Sequence, residues 1–200
     1  MHMPCLMARP DSAVSFGQTG DCAIFMDLAA DLYFTVAPED EQGLIARASL
    51  GMPASSASAS ILDHGAAQRI SLRDALSIYF ELARIRWALR TRSIADVVAG
   101  VTRARNPPGP SEPTAPALAR RFVAARKAVP IAHNCLPDSL ALIAWLGRSG
   151  LPSTLVFGVK LDPFAAHCWV QSGELLLTDR LEEIERFTPV RSIECAAGTR

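Results

Sequence analysis

The segment Asn134-Cys135-Leu136-Pro137-Asp138-Ser139-Leu140-Ala141-Leu142-Ile143-Ala144-Trp145 constrains this chain more than any other. It sets a cysteine at the start of an apolar helix. Pro137 falls in the first turn, where a missing N–H removes no intrahelical hydrogen bond. Leu140, Ile143, Ala144 and Gly147 recur at i, i+3, i+4 and i+7, which predicts one buried stripe. Cys135 then stands among unpaired N–H groups at the positive end of the helix dipole. That position favours the thiolate, the reactive form of the side chain. The same N–H groups can hold a developing oxyanion. The bland alternative is an inert buried cysteine, and the segments that follow weigh against it.

His167 lies in Ala165-Ala166-His167-Cys168-Trp169-Val170-Gln171, and Asp179 closes Glu174-Leu175-Leu176-Leu177-Thr178-Asp179. A nucleophilic thiol needs an imidazole to take its proton and a third group to orient that imidazole. Residues 154–160, 165–171 and 174–178 read as antiparallel strands, with Ser172-Gly173 as the last turn. A two-residue turn there would leave His167 and Asp179 on opposite sheet faces. A shared face therefore predicts a three-residue loop or a bulge that sets His167 opposite Asp179. His167, Trp169 and Gln171 would then share a face with Leu175, Leu177 and Asp179, and Trp169 would shield the imidazole from water. His133 is a second imidazole, but two residues from Cys135 it is poorly placed to act as its base. Cys168 alternates away from His167 and reads as a core thiol. Asp138 reads as a first-turn carboxylate favoured by the dipole. Asn134 reads as an oxyanion-binding amide or as a turn residue.

The 200 residues suit one domain or two small ones. Twenty basic and twenty acidic residues cancel, so composition argues neither for nucleic acid nor for a charged membrane surface. No apolar run reaches the length of a membrane span, and Met1–Pro10 does not read as a signal peptide. The five cysteines are scattered and form no C-x-x-C. That pattern argues against a zinc site or a disulfide framework and for a reducing cytoplasm. No metal or cofactor is expected.

Toward the N-terminus, residues 13–17, 22–28 and 32–36 read as three short strands, with Tyr33 and Phe34 as strong β formers. Pro38-Glu39-Asp40-Glu41 opens a helix with Leu44, Ile45 and Ala48 inward. A loop and a short helix near Ile61–His64 follow. Ser71 caps the next helix, with Asp74 in a capping-box position and Ala75, Leu76, Tyr79, Leu82, Ala83 and Arg86 near one face. Its basic end reads as a solvated face. Residues 93–103 predict another short helix. The five prolines of 106–116 predict a mobile loop. Residues 117–129 predict a helix with Leu118, Phe122, Val123 and Ala125 inward and Arg120, Arg121, Arg126 and Lys127 outward.

The order of cysteine helix, histidine strand and aspartate strand is similar to that of papain-like and transglutaminase-like enzymes. Residues 21–36 resemble the leader-recognition domains, of PqqD-like winged-helix fold, found in ribosomal-peptide maturation systems. Further motifs are Cys135-Leu136-Pro137-x-Ser139-Leu140-Ala141-Leu142, Gly150-x-Pro152, Gly158-Val159 and Pro163-Phe164-x-Ala166-His167-x-Trp169-Val170. With Asp179, these resemble, over nearly the whole chain, the undivided B proteins of lasso-peptide biosynthesis. Asp138 and Cys168 depart from that family's usual basic residue and alanine.

The resemblance implies an α+β chain with a PqqD-like leader-recognition domain over 1–68 and a papain/transglutaminase-like cysteine peptidase domain over 69–200. It maps Cys135, His167 and Asp179 onto a catalytic triad. Asn134 and the Cys135 backbone are the oxyanion candidates. Leu32, Tyr33 and Phe34 are the leader-binding candidates, on an edge strand able to accept an extended peptide. The implied partners are the precursor's leader peptide and an ATP-dependent macrolactam synthetase. The implied activity is removal of the leader before macrolactam formation. Two other readings stand beside it: transglutaminase-like acyl transfer, and a non-catalytic leader-binding protein.

Overall fold

The computed structural model describes residues 14–19, 22–47, 57–63, 70–102 and 114–195. They form two sheets and a set of helices. Strands β1 (Val14–Thr19), β2 (Cys22–Asp27) and β3 (Leu32–Phe34) make an antiparallel meander, followed by α1 (Pro38–Arg47). Strand β4 (Ala59–Ser60) precedes four helices: α2 (Leu72–Thr91), α3 (Ile94–Thr102), α4 (Ala115–Arg126) and α5 (Cys135–Arg148). Strands β5 (Ser153–Leu161), β6 (Phe164–Ser172) and β7 (Leu175–Leu176), helix α6 (Leu181–Ile184) and strand β8 (Thr188–Cys195) complete the chain. The second sheet runs β4-β7-β6-β5-β8. No helix among the described residues is long and apolar enough to cross a membrane.

The meander forms because aromatic residues face one another across it. Phe16 pairs with Phe25 and Phe25 with Phe34, and the ring centroids lie 5.9 and 5.6 Å apart. Asp27 closes the second turn by accepting the N–H groups of Ala29 and Ala30. The other face of β2, through Ile24 and Met26, joins the same core as Ile78, Leu82, Leu140, Phe157 and Val190. The N-terminal sheet therefore packs on the rest of the chain. The contact point is Gly17: a Cβ there would lie 2.3 Å from the Pro189 carbonyl oxygen of β8.

Helix α5 is buried on nearly every side, not along one stripe. Ala141, Leu142 and Leu146 are as inaccessible as Leu140 and Ile143. The sheet covers one side and α2, α3 and α4 cover the other. Helix α2 turns a different face inward than its spacing suggested. Ala75, Ile78, Leu82, Ile85 and Ala88 are buried, while Leu76, Tyr79, Phe80, Ala83 and Trp87 are exposed. The helix is apolar on two sides, so its period does not choose between them. The buried Glu81 and Asp74 resolve the choice, because their partners Arg148 and Arg121 belong to α5 and α4, the helices packed against that side.

Ala59–Ser60, expected in a loop, lie beside Leu175–Leu176 as a parallel strand, and residues 61–63, expected to begin a short helix, form a turn; His64 lies outside the described residues. Two residues suffice because the Ser58 and Ile61 N–H groups extend the pairing to the Glu174 and Leu176 carbonyls. Pro116, expected in the loop, sits in the first turn of α4, where proline is tolerated. The rest of the loop, residues 106–113, lies outside the described residues, save Thr114, the α4 N-cap.

Docking of the N-terminal sheet depends on the close approach at Gly17. Gly17→Val should lower stability by about 1–3 kcal/mol through overpacking. Thermal unfolding followed by circular dichroism checks this, with Gly43→Ala, an exposed helix position with open space, as the control.

Candidate active site

The site is assembled where α5 begins. Asn134 is the N-cap, in extended conformation (φ −150°, ψ 130°), and its side-chain oxygen accepts the Leu136 N–H at 3.3 Å. The first helical bond runs from the Asp138 N–H to the Asn134 carbonyl at 3.1 Å. Cys135 is thus the first helical residue, and its own N–H has no intrahelical acceptor by position.

What fixes this start is Arg126, the last residue of α4. Its side chain is only 4% exposed, and the outward position expected for it is overturned. Nε donates to Asp138 Oδ1 at 3.0 Å, Nη1 to the Val129 carbonyl at 3.2 Å, and Nη2 to the Ile131 and Ala132 carbonyls at 2.9 and 3.3 Å. One guanidinium therefore holds both the connecting loop and the first turn of α5. The signal was present in the spacing: Arg126 follows Phe122 at i+4, on the inward face with Leu118, Ala119 and Ala125. Asp138 accordingly does more than favour the dipole. Its second oxygen meets His133 Nδ1 at 3.0 Å, so His133 is held by Asp138.

His167 stands on β6 with Nε2 at 2.9 Å from Asp179 Oδ1. That leaves Nδ1 as the ring nitrogen available to the Cys135 sulfur, which lines the same cleft. Trp169 and Phe187 wall the ring, at centroid distances of 6.2 and 5.2 Å. Trp169 donates its indole N–H to the Gln171 side chain. Gly158 makes room for this wall from the neighbouring strand: a Cβ there would lie 2.7 Å from the Trp169 ring.

Asp179 reaches His167 by a route different from the expected bulge. The turn is the two-residue Gly173-Glu174, with Gly173 at φ +58°, and Gln171 pairs with Leu176. In that register a continued ladder would turn Asp179 to the face opposite His167. The ladder stops instead. The Leu177 N–H still bonds to the Val170 carbonyl, but the Val170 N–H is taken by the Thr178 hydroxyl at 3.0 Å. The chain then bends, and the buried Ser60 hydroxyl of β4 donates to the Asp179 carbonyl at 2.6 Å. The expected face sharing changes with the register. Trp169 packs with Leu176, while Leu177 joins Val170 and Cys168 on the side facing α5.

His133, Asn134, Cys135, Asp138, Ser139, His167, Cys168, Thr178 and Asp179 line one cleft of about 490 Å³. The Cys135 thiol is lowered to about 4, first by a hydrogen bond from Cys168 and next by one from His167, against the effect of burial. The imidazole of His167 is raised to about 10, first by its bond to Asp179 and next by Cys135, again against burial. Between those limits the pair is thiolate and imidazolium. Cys168 is pushed well above its usual value by its bond to Cys135 and by burial, so it stays a thiol and donates. Tyr33 of β3 also feels the site: burial raises its phenol, and the charges at Asp31 and Cys135 add to that. Its ring packs edge-on against Phe164 at 6.1 Å, three residues before His167. Leu32, its neighbour, is exposed.

The chain belongs to the transglutaminase-like superfamily, whose family model matches residues 79–192. That superfamily consists in general of cysteine-dependent enzymes. No curated protein and no solved structure matches the chain.

Three outcomes follow. Alkylation of Cys135 by iodoacetamide, followed by peptide mass spectrometry, should proceed at an undiminished rate down to about pH 5 and fall only as the pH nears the thiol value of about 4. His167→Ala should move that fall upward, toward the ordinary thiol range. Arg126→Met should cost about 3–5 kcal/mol in urea unfolding, because Asp138 and three carbonyls lose a buried partner.

Proposed function

We propose that the protein is a cysteine peptidase that binds and removes the leader peptide of a lasso-peptide precursor. The observation that carries this reading is the single cleft in which Cys135, His167 and Asp179 meet, with Nε2 of the imidazole held by the carboxylate. In the mechanism, the Cys135 thiolate attacks the carbonyl carbon of the scissile bond. The Cys135 N–H stabilises the tetrahedral oxyanion, and the Asn134 amide borders the same space. The His167 imidazolium protonates the departing amine of the core peptide through Nδ1. The leader remains as a thioester on Cys135. Neutral His167 then takes a proton from water, which attacks the thioester and frees the leader carboxylate. Asp179 keeps the ring oriented and stabilises its charged form throughout.

Two features support a leader-binding role for Leu32, Tyr33 and Phe34. β3 is the outer strand of its sheet, so an extended peptide can add beside it. Tyr33 packs against Phe164, on the strand that carries His167. A leader bound along this edge would therefore lead toward the cleft. In this reading residues 1–68 act as a PqqD-like leader-recognition domain and 69–200 as the peptidase. The protein works in the cytoplasm, without a metal or cofactor, and hands the core to an ATP-dependent macrolactam synthetase.

The test is mass spectrometry of a leader-bearing precursor incubated with the wild type and with Cys135→Ala. Cleavage at one bond, slowed by roughly 10³-fold or more in the variant, is the expected result. An isopeptide product would mean acyl transfer to an amine. Binding without cleavage, with the synthetase and ATP present, would mean a non-catalytic leader-binding protein.

A further inference from the structure

Cys168 is the one thiol of the cleft to which the proposed mechanism gives no bond to make or break. It is 2% exposed, whereas Cys135 is partly exposed. Both cysteines line the cleft, and the neighbouring Cys135 together with burial pushes the Cys168 thiol upward. Ser139 anchors it from the nucleophile's own helix, one turn after Cys135. The Ser139 hydroxyl donates to the Cys168 carbonyl at 3.3 Å, and the Cys168 sulfur lies 3.9 Å from that hydroxyl. An accessible reactive sulfur thus has a protected, protonated thiol at its side.

We propose that Cys168 is a resolving thiol, and that oxidation of Cys135 by a hydroperoxide is trapped as a Cys135–Cys168 disulfide that dithiol reductants reverse. The inference rests on the reading of Cys135 as a reactive thiolate. The thiolate attacks the terminal oxygen of the hydroperoxide and the O–O bond breaks. Cys135 becomes a sulfenic acid, and the leaving alkoxide or hydroxide takes a proton from the His167 imidazolium. The Cys168 sulfur then attacks the Cys135 sulfur. The S–S bond forms, the S–O bond breaks, and the leaving hydroxide takes the Cys168 proton as water. The two cysteines lose two electrons and the hydroperoxide gains them. While the disulfide holds, the site has no nucleophile. It is also spared the sulfinic and sulfonic states that reductants do not reverse.

The experiment treats the full chain with hydrogen peroxide, blocks remaining thiols by alkylation, and maps tryptic peptides without reduction. Trypsin places Cys135 in residues 128–148 and Cys168 in 161–180. The expected product is these two peptides joined, lighter by two hydrogens than their sum, and separated by dithiothreitol. Cys168→Ala, and Cys168→Ser should the alanine variant fail to fold, should instead carry two or three added oxygens on the 128–148 peptide. In either variant the Cys135 alkylation recovered after dithiothreitol should drop roughly tenfold below wild type. Wild-type Cys135 that gains oxygens with no joined peptide would overturn the proposal. So would variants that recover as fully as wild type. Neither readout needs a substrate. A joined peptide in a protein that cleaves no precursor would sink the peptidase reading and leave this one standing.

Discussion

The site depends first on the ion pair between Arg126 and Asp138. A guanidinium taken out of water must have all its directions used, and here one carboxylate and three loop carbonyls use them. Because those acceptors belong to both the α4–α5 loop and the first turn of α5, satisfying one buried charge fixes where that helix begins. The beginning of the helix is what matters chemically. It sets the Cys135 N–H outside the intrahelical ladder and aims the sulfur at β6.

The second constraint is a sheet edge that ends early. A regular strand after the Gly173-Glu174 turn would carry Asp179 to the wrong face. Thr178 replaces a backbone acceptor with its hydroxyl, the chain leaves the ladder, and Ser60 holds the departing Asp179 carbonyl. The short strand β4 thus has a role beyond covering an edge. It brings a residue distant in sequence to the backbone of the group that orients His167. Trp169 and Phe187 cover part of the imidazole, and the lower local polarity strengthens its bond to Asp179.

Burial opposes charge on both Cys135 and His167, so the ion pair exists only because hydrogen bonds outweigh it. Those bonds come from the neighbours Cys168 and Asp179 as well as from each other. The N-terminal sheet adds a boundary: Tyr33 brings an aromatic ring to the strand that carries His167.

The residues that meet in the cleft were legible because their signals are local. A cysteine before Leu136-Pro137 starts a helix by capping and proline rules alone, and β-forming runs around His167 mark a strand by alternation. The mixed α+β class followed from the same patterns. Other features depended on pairing between distant segments. Leu76 and Tyr79 turned outward because an apolar period on two sides of α2 does not name the inner one. Arg126 stands on the inward stripe by its spacing after Phe122, but a charge there reads as solvated; it turned inward because the Asp138 carboxylate and three loop carbonyls take its N–H groups. Ala59–Ser60 became a strand only because Leu175–Leu176 offered an open edge. The sequence by itself determined the mixed α+β class and the kinds of element on which Cys135 and His167 stand. The tertiary structure alone decided register, helix facing and the bend at Asp179, because each is set by hydrogen bonds and packing between segments far apart in the chain.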